Sequence, residues 1–240
     1  MAHLVRRFRR CLRDEGFIST FGKVMKFTIA KATPGNLNNL AVLYETDKAE
    51  GRHGYTARYS HHLRPRRRAV RSVLEIGVGG YGHPESGGES LRMWATFFPH
   101  AHVYGIDIEE KRLPAVHRVT VLQGDQGDRD YLRGLATQYG PFDLVVDDGS
   151  HLGRHQHASF EALFPTLPAG ALYVIEDLET SYWPKWEGGP IGTPGTGVAL
   201  VKSLVDSIHL GPQAVAAVHV YPELVVIEKA EAPRQGKPEL

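Results

Sequence analysis

The chain has 240 residues, 42% of them hydrophobic and 23% charged, which is the composition of an ordinary soluble globular protein with one sizeable core. Its single cysteine, Cys11, excludes an intrachain disulfide framework, and no apolar run approaches the roughly 20 residues that a membrane-spanning helix needs. We therefore expect a cytoplasmic protein without a membrane span.

The formal net charge of +1 conceals two arginine-rich segments, residues 6–13 and 64–71. Neither segment has the interleaved aromatic residues or the motifs of a nucleic-acid-binding surface, so we expect no nucleic-acid partner. We interpret both as solvated faces or subunit contacts, with binding of anionic lipid or phosphate as the alternative. We also expect a homo-oligomer, a dimer or larger.

The N-terminal part of the chain has the pattern of helices. Leu4, Phe8 and Leu12 recur at helical spacing, and Pro34 and Gly35 mark a turn. The sequence therefore predicts an N-terminal helical arm over residues 1–45, followed by one α/β domain over residues 46–240.

From Val73 onward, short apolar runs alternate with helical segments. The runs are rich in β-branched residues and nearly continuous, as in strands buried on both faces of a parallel sheet. The last two runs are separated only by Pro222 and Glu223, which permits an antiparallel hairpin and excludes a helical crossover. The pattern predicts a doubly wound, Rossmann-like sheet of seven mostly parallel strands with an antiparallel last strand. The predicted strands are "VLEIGV", "HVYGID", "RVTVLQG", "FDLVVDD", "ALYVIED", "AVAAVHVY" and "LVVIEK".

A glycine-rich turn follows the first strand, in "VLEIGVGGYG". Gly77 and Gly79 allow a sharp turn and the close approach of a ligand. Asp107 ends the second strand, where a carboxylate can accept both hydroxyls of a ribose, and Asp125 follows the third, where it can meet an adenine amino group. A nucleotide-like cofactor is therefore expected at this edge.

Two pairs of acids follow the fourth and fifth strands: Asp147 with Asp148, and Glu176 with Asp177. These strands are neighbours in a doubly wound sheet, so the carboxylates would repel each other unless a cation lay among them. An all-oxygen set favours Mg²⁺, with Mn²⁺ or Ca²⁺ possible, over zinc. The alternative is that the acids cap helices or pair with arginines.

His151 lies three residues after Asp148 in the same loop. It can be a metal ligand, a surface residue or a general base. Because the carboxylates already satisfy a hard ion, we interpret the imidazole as the base that takes a proton from a bound hydroxyl.

The segment from Thr180 to Gly197 is rich in glycine and proline, and we expect it to lack regular structure. Such long loops are typically lids or binding loops. Tyr182, Trp183 and Trp186 lie in it and can stack against sugar faces, with core packing beneath the loop as the alternative.

An NAD-dependent enzyme is the first rival interpretation. The strict G-x-G-x-x-G is absent, and the Tyr-x-x-x-Lys in "YETDK" precedes the sheet instead of following its fourth strand. An inserted antiparallel seventh strand is typical of methyltransferases.

The motifs together resemble the metal-dependent sugar O-methyltransferases of antibiotic biosynthesis, of the mycinamicin and tetracenomycin-rhamnose type. The resemblance runs over most of the chain and is carried by "GGYGHPESGGESLRMWATFFPHAHVYGIDI", "GDQ", "DLVVDDGSH" and "YVIEDLETSYWP". It implies a class I methyltransferase fold, S-adenosylmethionine as methyl donor and Mg²⁺. The implied activity is methylation of a sugar hydroxyl on a glycosylated natural product or glycan.

The resemblance also implies residue roles. Asp148, Glu176 and Asp177 match the Mg²⁺ ligands, and His151 matches the catalytic base. The positions that match or are assigned to the donor site are Glu75, Gly77, Asp107, Asp125, Gln126 and Asp147, with Tyr55 and Tyr59 as contacts to its methionine end. Plain packing of the two tyrosines is the alternative.

Other functions stay open from sequence alone. A catechol O-methyltransferase uses a metal ion in the same way, but its acceptor is a planar diol. The acceptor can also be a mycobacterial-type methylated polysaccharide or glycolipid. A non-catalytic donor-binding protein would need neither the acids nor His151, and an iron-dependent hydroxylase would need iron and oxygen.

Overall fold

The computed structural model describes residues 33–210 and 213–234 of the chain. The chain divides into two compact units, Met1–Arg67 and Arg68–Leu240. The helical arm predicted over residues 1–45 lies outside the described residues for its first 32 positions, so the arm and its boundary at residue 45 stay predictions.

The described part of the first unit contains two short helices, α1 (Leu37–Tyr44) and α2 (Thr56–Leu63). The side chain of Asn36 caps α1 by accepting a hydrogen bond from the amide of Asn39, and Glu45 ends the helix in a left-handed conformation. The residues that follow α1 therefore leave it through a sharp turn.

The second unit is built on one seven-stranded sheet in the order β3-β2-β1-β4-β5-β7-β6. The first five strands run parallel, and β7 lies antiparallel between β5 and β6. The predicted fold class is therefore confirmed. The strands are β1 (Ser72–Ile76), β2 (His102–Asp107), β3 (Val119–Gln123), β4 (Leu144–Asp147), β5 (Leu172–Ile175), β6 (Gln213–Tyr221) and β7 (Leu224–Arg234).

In the described part of the second unit, four α-helices connect these strands, and they lie between the apolar runs as the sequence pattern predicted. The helix α4 begins after Asp128, whose carboxylate accepts hydrogen bonds from the amides of Asp130 and Tyr131. The helices are α3 (Glu89–Phe97), α4 (Arg129–Tyr139), α5 (Gly153–Leu163) and α6 (Gly197–Leu210). A short 3₁₀ helix, Phe164–Thr166, continues α5.

Burial differs along the sheet. Strands β4 and β5 are buried over their whole length, whereas β3, at the edge of the sheet, is only partly buried. Apolar side chains of the central strands pack with helices into a core cluster, which includes Ile76, Val145, Phe160 and Leu163. The two strands that lead to the acid pairs therefore lie in a deeply buried part of the sheet.

The expectation that the segment Thr180–Gly197 lacks regular structure was wrong for its first part. Two 3₁₀ helices, Leu178–Tyr182 and Pro184–Trp186, lie there. A 3₁₀ turn tolerates proline in its first position because that amide needs no partner, so Pro184 begins the second helix instead of preventing it.

Over the part of the chain that the structure describes, every helix is too short or too polar to cross a membrane.

Arg118 stabilises the end of α3 from a distant part of the chain. Its guanidinium donates hydrogen bonds to the carbonyl oxygens of Ala95 (2.6 Å) and Phe98 (3.0 Å) and to that of Ala101. These carbonyls belong to the last turn of the helix and the residues after it, which have few partners of their own.

We expect Arg118→Ala to lower the free energy of unfolding by about 1–3 kcal/mol, because it leaves these carbonyls without a charged donor. Urea denaturation measures the loss. The matched control is Arg133→Ala, which removes an exposed ion pair with Asp130 and should cost about 0.5 kcal/mol or less. Equal losses for the two variants would contradict the capping role.

Candidate active site at the carboxyl ends of the strands

The glycine-rich turn after β1 touches the protein's own backbone. Gly77 has φ +91°, and a Cβ at this position would lie 2.0 Å from the carbonyl oxygen of Asp148. Gly79 has φ +76°, but a Cβ there would meet nothing within 4 Å. The sequence predicted that both glycines admit a ligand. The structure adds that Gly77 is required by the loop that follows β4.

Asp107 and Asp125 both lie at strand ends, as predicted. The carboxylate of Asp107 accepts hydrogen bonds from the amides of Val78 (3.0 Å) and Glu109 (2.9 Å), so it fixes the glycine-rich turn. Asp125 is exposed and accepts a hydrogen bond from the amide of Gly127 at 2.7 Å. Contact of either carboxylate with a donor molecule stays a prediction.

Glu75 is fully buried near the end of β1. One of its carboxylate oxygens accepts a hydrogen bond from the hydroxyl of Ser90 in α3, at 2.7 Å. Tyr55 and Tyr59 belong to the first unit, where both are buried. The predicted donor contacts of all three residues stay predictions.

Three of the predicted catalytic residues come together: Asp148, His151 and Asp177. One ligand atom of each lies within 4.8 Å of those of the other two, and the side chains are partly buried. Nε2 of His151 lies 3.4 Å from a carboxylate oxygen of Asp177. Two carboxylates and an imidazole at this spacing are suited to one divalent ion.

Glu176 was predicted to be a third carboxylate ligand. It is 1% exposed at the end of β5, and among residues 33–210 and 213–234 it is not part of the group formed by Asp148, His151 and Asp177. Its role as a metal ligand stays a prediction.

The backbone at His151 and Asp177 is left-handed, with φ of +58° and +54°. Residues other than glycine rarely adopt this conformation, which costs about 1–2 kcal/mol each. Thr180 stabilises the local geometry, because its hydroxyl lies 2.6 Å from the carbonyl oxygen of Asp177 and 3.3 Å from that of His151. Neither left-handed residue was predictable from the sequence pattern.

The first acid of the pair after β4, Asp147, points into the protein and is 1% exposed. Burial raises its pKa to about 6, although hydrogen bonds from Ser159 (2.5 Å) and Tyr173 (3.0 Å) oppose that shift. Burial, together with the nearby Asp147 charge, raises the pKa of Tyr173 well above its usual value. Gln126 donates a third hydrogen bond to Asp147, at 2.6 Å.

Sequence analysis missed Ser159, Tyr173 and Thr180. A signal for Tyr173 existed, since a phenol in the otherwise aliphatic strand "LYVI" must find a buried partner for its hydroxyl. Ser159 and Thr180 lie on elements whose orientation toward the strand ends is not readable from spacing alone.

The aromatic residues of the segment Thr180–Gly197 are only partly buried. Tyr182 and Trp183 are 44% and 45% exposed, and the rings of Trp183 and Trp186 are 5.4 Å apart. Burial in the core is therefore excluded for Tyr182 and Trp183. An ion pair between Glu187 and Arg154 links this segment to α5.

Comparison with known proteins gives close relatives, although no protein-family model matches the chain. It is 45% identical to the demethylmacrocin O-methyltransferase of Streptomyces fradiae over 220 residues, 85% of this chain and 55% of that protein. It is 43% identical to the 8-demethyl-8-alpha-L-rhamnosyl tetracenomycin-C 2'-O-methyltransferase of Streptomyces olivaceus over 209 residues, 82% of this chain and 55% of that protein. The chain thus spans about half the length of the curated relatives it matches.

A solved structure is also similar: the MycE methyltransferase from the mycinamycin biosynthetic pathway, in complex with Mg, SAH and mycinamycin VI. The TM-score is 0.81 at 44% identity, and the match covers 85% of this chain and 57% of that one. These findings confirm the resemblance predicted from the motifs.

Gly77→Ala and Gly79→Ala form a matched pair of variants. Both place a Cβ in the left-handed region, at a cost of about 1–2 kcal/mol. Only at Gly77 does that Cβ overlap backbone atoms, so we expect Gly77→Ala to lower the free energy of unfolding by about 1–3 kcal/mol more than Gly79→Ala. Urea denaturation without ligands measures both, and equal losses would contradict the close approach to Asp148.

Proposed function

Because the chain is a homologue of sugar O-methyltransferases from antibiotic pathways, we propose that it transfers a methyl group from S-adenosylmethionine to a sugar hydroxyl, in a reaction that requires Mg²⁺. The observation that carries this proposal is the group formed by Asp148, His151 and Asp177 at the ends of two neighbouring strands. A non-catalytic protein that only bound the donor would not need these residues.

Asp148 and Asp177 would hold the ion, with Glu176 as the third predicted ligand. The donor set fits Mg²⁺, or Mn²⁺ in its place, because hard ions prefer carboxylate oxygens and because a cation relieves the repulsion between the two partly buried acids. When bound, the ion acts as a Lewis acid that lowers the pKa of a sugar hydroxyl and orients it.

His151 would take the proton of that hydroxyl. The hydroxyl oxygen forms a bond to the methyl carbon as the carbon–sulfur bond of the donor breaks, which yields S-adenosylhomocysteine and the methyl ether. The proton moves to the imidazole, and the carboxylate of Asp177, 3.4 Å from Nε2, stabilises the resulting positive charge. Base catalysis of this kind contributes about 10²- to 10⁴-fold to the rate.

The donor would lie over the glycine-rich turn. The open space above Gly79 admits a ligand, and the carboxylates of Asp107 and Asp125 lie at the adjoining strand ends, where they can accept ribose and adenine groups. By resemblance, we also assign Glu75, Gly77, Tyr55 and Tyr59 to the donor side of the site.

The acceptor would be a sugar carried by a larger natural product or glycan. Tyr182, Trp183 and Trp186 lie within ten residues after Asp177 and are partly exposed, and their rings suit the apolar face of a sugar. The names of the relatives include a rhamnosyl tetracenomycin as acceptor. A homo-oligomer, a cytoplasmic location and the absence of a nucleic-acid partner stay predictions.

Transfer of labelled methyl groups to a panel of acceptors tests this function. We expect deoxysugar-bearing polyketides, mannosides or rhamnosides to be methylated, and catechols not. Chelator should abolish turnover and Mg²⁺ should restore it. Asp148→Asn should lower turnover at least about 100-fold, since loss of a Lewis acid costs several kcal/mol of transition-state stabilisation. Asp206→Asn, on an exposed position of α6, is the control. Turnover that chelator does not change would contradict the metal requirement.

His151→Ala should lower kcat by about 10²- to 10⁴-fold and leave the dissociation constant of S-adenosylhomocysteine nearly unchanged, because the imidazole is proposed to move a proton and not to hold the donor. Isothermal titration and steady-state assays measure the two quantities. His117→Ala, at an exposed position before β3, serves as the control. An unchanged kcat would exclude His151 as the base.

A further inference from the structure

The buried carboxylate of Asp147 is held by donors from three elements. Gln126 donates from the loop after β3, Ser159 from α5 and Tyr173 from β5, at 2.6, 2.5 and 3.0 Å. Because one carboxylate oxygen takes the bond from Gln126 and the other takes those from Ser159 and Tyr173, the group is fixed in orientation. Asp147 is thus an anchor inside the protein.

Gln126 connects this anchor to the loop that carries the proposed catalytic groups. Its amide nitrogen donates to Asp147, and its amide oxygen accepts a hydrogen bond from the backbone amide of Ser150 at 3.0 Å. Ser150 lies between Asp148 and His151. The contact is close, since a Cβ at Gly149 would lie 2.4 Å from the same amide oxygen.

The chemistry of the two partners determines which side chain fits between them. An ionised carboxylate only accepts hydrogen bonds and a backbone amide only donates them. A neutral amide that presents its nitrogen to Asp147 and its oxygen to Ser150 satisfies both at once. Gln126 is 7% exposed, so a mismatch at either end would leave a buried polar group without a partner.

Ser150 is fixed on its other side as well. Its hydroxyl lies 2.8 Å from Nδ1 of His155 and accepts a hydrogen bond from the amide of Leu152 at 3.3 Å. Burial is the largest cause that lowers the pKa of His155, followed by the charge of Arg154. Ser150 is therefore fixed by hydrogen bonds to Gln126 and to His155 of α5, and it lies in the loop between Asp148 and His151.

We propose that Gln126 is a positioning residue: oriented by Asp147, it acts through the amide of Ser150 to place Asp148 for the ion and His151 for the acceptor. This inference rests on the proposed function for the roles of Asp148 and His151. It assigns Gln126 to the metal side of the site, whereas the resemblance assigned it to the donor. The two assignments differ in which affinity the residue controls.

The test is a charge swap across the Gln126–Asp147 pair. Gln126→Glu keeps the size of the side chain and an oxygen for the Ser150 amide, but it places a second acceptor against Asp147, and the repulsion between the two carboxylates weakens the bond from Ser150. The added change Asp147→Asn turns the facing oxygen into a donor and leaves an oxygen for Ser159 and Tyr173. The double variant thus restores the bond within the pair, with donor and acceptor reversed, and the bond from the Ser150 amide, and the charge of the pair is unchanged. It loses only the long 3.5 Å bond from the Gln126 amide to the Ser159 hydroxyl.

Metal affinity is measured with Mn²⁺ by electron paramagnetic resonance, and donor-site affinity with S-adenosylhomocysteine by calorimetry. Gln126→Glu should raise the Mn²⁺ dissociation constant about 10- to 100-fold, as is typical when a group that orients a metal ligand is lost. It should change the S-adenosylhomocysteine dissociation constant less than about 3-fold, well under one tenfold step of affinity. The double variant should recover most of the metal affinity. Gln138→Glu, at an exposed position of α4, is the control: it makes the same chemical change and should leave both dissociation constants unchanged.

Hydrogen exchange of the peptide that contains residues 148–151 supplies a readout without metal or donor. Exchange at the Ser150 amide should be faster in Gln126→Glu and slow again in the double variant. Weaker S-adenosylhomocysteine binding with unchanged Mn²⁺ affinity would overturn the proposal, and so would a double variant no better than the single one. Wild-type protein that binds Mn²⁺ but methylates no glycoside would refute the proposed function alone. Wild-type protein that binds no Mn²⁺ would refute both.

Discussion

The parallel register of β4 and β5 determines which acids meet at the edge of the sheet. Asp147 pairs with Ile175, so the next residues, Asp148 and Glu176, leave the two strands side by side, and Asp177 follows. Negative charges this close in a partly buried place repel each other more strongly than in water. Contacts with neighbouring elements therefore have to determine the direction in which each carboxylate points.

Two kinds of contact direct the acids. Side-chain hydrogen bonds turn Asp147 into the protein, away from the edge. Unusual backbone turns direct the groups that remain: His151 and Asp177 are both left-handed, and Thr180 contacts the carbonyl oxygens of both. The two acids of the pair at the end of β4 therefore have different roles. Asp147 stabilises the structure through its hydrogen bonds, and Asp148 belongs to the candidate metal site.

The strands and the strand-end acids were predictable because burial on both faces demands long apolar runs, and because parallel strands send their carboxyl ends to one edge. That logic placed Asp107, Asp148 and Asp177 correctly at strand ends. It could not show why position 77 excludes a side chain. The group that a Cβ would meet there, the carbonyl of Asp148, lies about 70 residues later in the chain, and its approach depends on packing. The direction of the Gln126 amide depends on two partners, the last residue of β4 and a backbone amide in the loop after it, and no spacing rule shows that a side chain from the loop after β3 reaches them. The 3₁₀ turns around Pro184 were missed because proline and glycine content indicates a loop without indicating its internal hydrogen bonds.

The close contact between Gly77 and the carbonyl of Asp148 couples the turn after β1 to the loop after β4. A molecule that shifted the turn after β1 would push on the loop after β4, because no free space lies between them. Thermodynamic linkage then requires reciprocity: whatever factor such a molecule applies to the affinity for an ion at Asp148, the ion applies to the affinity for that molecule. The contact between Gly77 and Asp148 would therefore let two ligands that never touch each other change each other's affinity.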